Sequence, residues 1–218
     1  MKKLAVFLLI FTLLSTLACP VLAGICTDCP LTQYPDLAVD AWYHDGVHYC
    51  LERGLLAGES GAFLPNGAID KTALLQTMYC YAQQVGLDVS VGQDTNILSY
   101  EDAFDIPEGA FEAFQWACGA GILGNVTSLQ PAKIATREDM VYILYRFAQW
   151  AGLDNGVGAD TNILSYEDAF DITEGAFEAF QWACGAGIIR GTAAAILSPK
   201  TPVTRTQLAA VLQRMSTL

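Results

Sequence analysis

The sequence predicts an all-α protein built from three tandem helix-loop-helix modules, and three observations predict it. The stretch DTNILSYEDAFDI at Asp94 recurs at Asp160, and EGAFEAFQWACGAGI at Glu108 recurs at Glu174, so the two blocks differ only at Pro107 against Thr173. Such self-similarity at a fixed period marks an internal duplication. Phe111, Phe114 and Cys118, with Phe177, Phe180 and Cys184 in the next copy, form the 3.6-residue stripe of an amphipathic helix. Thr136 three residues before Asp139, and Thr204 three residues before Gln207, read as helix N-caps with a reciprocal side chain.

In chain order, Lys2 and Lys3 precede an apolar run from Leu4 to Leu14, and Val21-Leu22-Ala23 before Gly24 reads as a signal-peptidase site. Residues 1–23 are therefore expected to be a signal peptide and 24–33 a leader. Lipid attachment at Cys19 is the weaker alternative, because Thr16 and Leu17 fit that motif poorly. No segment after the apolar run has the length of a membrane span. Export leaves Cys26, Cys29, Cys50, Cys80, Cys118 and Cys184, an even number that suits disulfides without establishing them.

The first module spans 34–86, the second 100–152 and the third 166–218, with linkers at 87–99 and 153–165. Tyr34, Tyr100 and Tyr166 open them, each followed two residues later by Asp36, Asp102 or Asp168. A first helix follows, stopped by Gly119 and Gly121 or by Gly185 and Gly187. Phe63-Leu64-Pro65, Leu129-Gln130-Pro131 and Leu197-Ser198-Pro199 then lead into a second helix, capped by Asp70, Thr136 or Thr204. Met140, Ile143, Leu144 and Phe147 mark its buried face in the second module; Leu208, Val211, Leu212 and Met215 mark it in the third.

Of the 218 residues 53% are apolar, which argues against disorder, while a net charge of -12 with 11 Lys plus Arg argues against nucleic acid as partner. The few cations are informative by position. Lys71, Arg137 and Arg205 each follow a helix N-cap, where the helix dipole disfavours positive charge by up to about 1 kcal/mol. Two explanations stand beside each other. Each cation, with free N-terminal amides, receives an anionic ligand, or it is clasped by Asp36, Asp102 or Asp168.

Other motifs point elsewhere weakly. His44 and His48 have helical metal spacing but neither a third ligand nor the protease Glu. The linker oxygens of Asp154, Asn155, Asp160 and Asn162 do not follow calcium-loop spacing. Glu101, Asp102, Glu108 and Glu112 are favourable charges at helix starts, so no glycosidase pair is needed to explain them. Trp116 and Trp182 sit at core spacing beside Phe114 and Phe180. No catalytic residue, cofactor or metal is expected.

Taken together, Tyr-x-Asp, an apolar helix ending in glycine, Phe/Leu-x-Pro and Thr-Arg before a second apolar helix resemble the S-layer homology family. The resemblance implies three modules in a pseudo-threefold arrangement around a central helix bundle. It also implies grooves between modules that hold a secondary cell-wall polysaccharide linked to peptidoglycan, commonly pyruvylated, at the bacterial cell wall or S-layer surface. The family's motif arginine corresponds to Arg137 and Arg205, with Lys71 in the first module, and its first-helix Trp survives only as Trp42. Lys71, Arg137, Arg205, Asp36, Asp102, Asp168 and Trp42 are thus the candidate ligand-binding residues. The alternative function is a cell-surface protein-interaction module that does not bind polysaccharide.

Overall fold

The computed structural model describes residues 29–218 apart from 91, 93, 154, 155, 157 and 159. The signal peptide with its cleavage before Gly24, Cys19, Cys26, Asp154 and Asn155 lie outside the described residues. Six α-helices occur among them: α1 (His44–Glu52), α2 (Lys71–Gln84), α3 (Phe111–Gly119), α4 (Arg137–Trp150), α5 (Phe177–Gly185) and α6 (Arg205–Met215). Isolated β-bridges are present, but no strand forms among the described residues. No described helix is long and apolar enough to cross a membrane.

The second helix of each repeat starts where the sequence places it. Asp70 accepts from the Ala73 N–H at 2.7 Å, while Thr136 with Asp139 and Thr204 with Gln207 form reciprocal capping boxes. Removing such a cap costs about 1 kcal/mol. After α2 and α4 the chain turns through Gly86 and Gly152 at φ +79° and +70°, the left-handed geometry that ends a helix without a Cβ clash. The stripe residues Met140, Ile143, Leu144 and Phe147 are all buried, as are Leu208, Val211, Leu212 and Met215. Each such aliphatic or aromatic side chain contributes roughly 1.5–3 kcal/mol on leaving water.

The first helix of one repeat packs on the second helix of another: α3 on α2, α5 on α4, and α1 on α6. The last pairing brings the ends of the chain together. A Cβ on Gly46 of α1 would lie 2.6 Å from the Ala210 backbone of α6, so glycine permits the helices to approach this closely.

The segments before the second helices close a second circuit. Ile69 N–H donates to Val203 O at 3.1 Å, Val203 N–H to Ala135 O at 2.9 Å, and Ala135 N–H to Ile69 O at 2.9 Å. All three residues are buried, so each bond satisfies backbone groups that water cannot reach. Just before these segments Leu64, Gln130 and Ser198 hold φ of +59°, +51° and +56°. Non-glycine residues reach that region at a cost, which the surrounding contacts must offset.

Candidate ligand grooves

Lys71, Arg137 and Arg205 occupy the first turns of α2, α4 and α6, directly after the caps. The backbone amides around them are not free, contrary to the sequence expectation of an open anion receptor. Lys71 N–H donates to Lys133 O, Arg137 N–H to Thr201 O and Arg205 N–H to Gly67 O, at 2.9, 2.9 and 3.0 Å. The next amides, of Thr72, Glu138 and Thr206, donate to Pro131, Pro199 and Pro65 carbonyls. The side-chain caps take the third. These carbonyls come from a different repeat, a long-range pairing with no signature in local sequence.

The three aspartates turn towards backbone. Asp36 accepts from the N–H groups of Phe63 and Leu64, Asp102 from Leu129, Gln130 and the Ser128 hydroxyl, and Asp168 from Leu197 and Ser198. They hold the strained residues Leu64, Gln130 and Ser198 in place. Burial pushes the Asp102 carboxyl up, but the Ser128 hydroxyl and the two amides outweigh it and leave the group at about 2. Each aspartate also faces the cation of another repeat: Asp36 stabilises charge near Arg205, Asp168 near Arg137, and Asp102 near Lys71. The geometry gives these carboxylates a loop-holding task and leaves no ion-pair clasp within hydrogen-bond range of the cations among the described residues.

The three cations then differ. Lys71 is buried, makes no side-chain hydrogen bond among the described residues, and opens onto a cavity of about 480 Å³ shared with Ser128, Gln130, Lys133, Asp139, Tyr142 and Thr173. Burial lowers its pKa, with Asp139 opposing. Charges in this groove balance internally: Lys133 pairs with Asp139 at 3.0 Å, and Glu138, on the rim, pairs with Lys200 at 2.8 Å.

Arg137 donates its Nε to Leu197 O at 2.9 Å and its Nη2 to Arg190 O at 3.1 Å, both across the repeat boundary. It lines a cavity of about 430 Å³ with Arg190, Arg214, Gln207 and Trp42. The Trp42 ring is 66% exposed and stands edge-on to Tyr43. No carboxylate occurs among the described lining residues. Sequence reading found Arg137 and Trp42 but missed Arg190 and Arg214; the scarcity of cations elsewhere in the chain was the available signal.

Arg205 is occupied by its own chain. Its Nη2 meets Ala57 O, its Nη1 lies 3.3 Å from Glu59, and its guanidinium sits over the Phe63 ring at 5.1 Å.

Other candidates resolve without a site. Trp116 and Trp182 are fully buried, Trp116 stacking against Tyr79, Phe147 and Trp150. His44 meets Asp45 and the Cys29 thiol, and His48 meets Glu52. Among the described residues no three His, Cys, Asp or Glu side chains gather to hold a metal, and the cysteines Cys29, Cys50, Cys80, Cys118 and Cys184 are free thiols. Asn162 caps its own turn through Leu164 N–H.

A family model described as S-layer homology domain matches residues 34–71, from Tyr34 through Asp36, Trp42 and α1 to Lys71. Such domains are non-catalytic modules that anchor proteins at the cell wall, and the all-helical fold agrees with this assignment. No curated protein matches the chain.

Proposed function

We propose that the chain is a non-covalent cell-wall anchor of three modules, 34–86, 100–152 and 166–218, in a pseudo-threefold arrangement, and that it binds an anionic secondary cell-wall polysaccharide in grooves between them. The Arg137 groove carries the reading: three guanidiniums and an exposed indole line one cavity that contains no acid of its own among the described residues, in a protein of net charge -12. Charge-assisted bonds from arginine are the natural grip on carboxylate or phosphate, and an aromatic face suits a sugar ring. Lys71 gives a second groove of weaker field, and the Arg205 groove is filled by Glu59. Asp36, Asp102 and Asp168 support the groove walls rather than touch ligand. The leader 24–33 follows a signal peptide, which places the mature protein outside the cell.

Co-sedimentation with purified cell walls tests this. Walls keeping their acidic polysaccharide should retain the protein, and walls stripped of the polymer's acidic groups should release it; equal retention by both would refute polysaccharide binding. Phe104 and Phe170, exposed at equivalent turns, favour protein interaction as the second reading. Under that reading Phe104→Ser with Phe170→Ser would abolish surface retention while acid removal would not.

A further inference from the structure

The Arg137 groove and the Lys71 groove occupy corresponding places in successive repeats but have opposite charge balance. Asp139 stands in the Lys71 groove where Gln207 stands in the Arg137 groove, and Arg190 occupies the place of the uncharged Gly124. The first groove therefore neutralises itself, whereas the second gathers three arginines without an acid among its described lining residues.

Those arginines are not equally available. Arg137 spends two donors on Leu197 O and Arg190 O, and Arg214 spends Nη1 on Ile188 O at 2.9 Å. The Arg190 side chain is exposed. Burial lowers the pKa of Arg137 and Arg214, with Arg214 adding to the effect at Arg137 and Arg190 adding to it at Arg214, so the three charges act on one another. A single carboxylate would leave most of that mutual repulsion unrelieved, because one negative charge faces three positive ones in a partly desolvated cavity.

We infer that the Arg137 groove selects a saccharide bearing two negative charges, as a phosphate monoester or as two neighbouring acidic groups, over one bearing a single carboxylate. The inference rests on the reading of this groove as a polysaccharide site and specifies the class of sugar it takes. Gln207 and the Trp42 ring supply the neutral contacts at its wall and rim.

Calorimetric titration of the full mature chain at pH 7.5 with three methyl hexosides tests it: one with a single carboxylate, one with two carboxylates and one with a 6-phosphate. At that pH the phosphate monoester is largely dianionic. At least one dianionic probe should bind fivefold or more tightly than the monocarboxylate, and whichever does identifies the source of the second charge. In Arg190→Gln that ratio should fall by half or more. A ratio below fivefold, or one unchanged in both Arg190→Gln and Arg214→Gln, overturns the charge selection while leaving the groove reading intact. Binding of none of the three probes overturns both.

Discussion

Arg137 Nε donates to the Leu197 carbonyl at 2.9 Å, so a side chain of the second repeat fastens a loop of the third and at the same time opens into the cavity beside it. One residue thus belongs to the fold and to the candidate site. Replacing it should disturb both, and Arg137→Ala is expected to lose about 1–3 kcal/mol of stability because the Leu197 and Arg190 carbonyls lose their donor. Wall affinity should fall with it, by about 1.5–3 kcal/mol for the lost charged contact. Chemical denaturation beside wall binding measures the two losses.

The sequence pattern already contained the helices, because caps and a 3.6-residue stripe are local. Met140, Leu144 and Phe147 needed nothing beyond their spacing to be placed in the core. The Lys71 N–H to Lys133 O bond was invisible for the opposite reason: it joins segments brought together by closure of the chain. The same holds for the groove charges. Arg137 and Lys71 look alike beside their caps, and only the packing of Arg190 and Arg214 around one, and Asp139 beside the other, separates them.

Closure through α1 and α6 predicts that the repeats fold together. A fragment ending at Gly152 lacks α5 and α6, leaving the partners of α4 and α1 absent. It should show no cooperative thermal transition, whereas 34–218 should melt as one unit. A sharp melt in the fragment would show the repeats to be independent.

Gly46→Val places side-chain atoms where the Ala210 backbone already lies within 2.6 Å of a bare Cβ. Backbone cannot rotate aside as a side chain can, so the α1 and α6 helices must separate. The expected cost is about 1–3 kcal/mol or more, read as a lowered melting temperature.

Acid should loosen the loop held by Asp102. Its folded pKa of about 2 lies below the model value of 3.8, so its stabilisation is complete above the unfolded value and is lost as pH falls through the folded one. Wild-type stability should decline between about pH 4 and pH 2. Asp102→Ala should begin less stable at neutral pH and decline less over that window, as followed by denaturant unfolding at each pH.

Trp42 provides the most direct test of where the polymer binds, since it stands exposed on the rim of the Arg137 groove while Trp116 and Trp182 are buried. Solubilised wall polysaccharide titrated into the protein should produce a saturable change in tryptophan emission. The change should disappear in Trp42→Phe, although that variant still sediments with walls through the arginines. Polysaccharide that binds the wild-type protein without altering Trp42 emission, or that alters it equally in Trp42→Phe, would contradict the assignment of the Arg137 groove as the binding site.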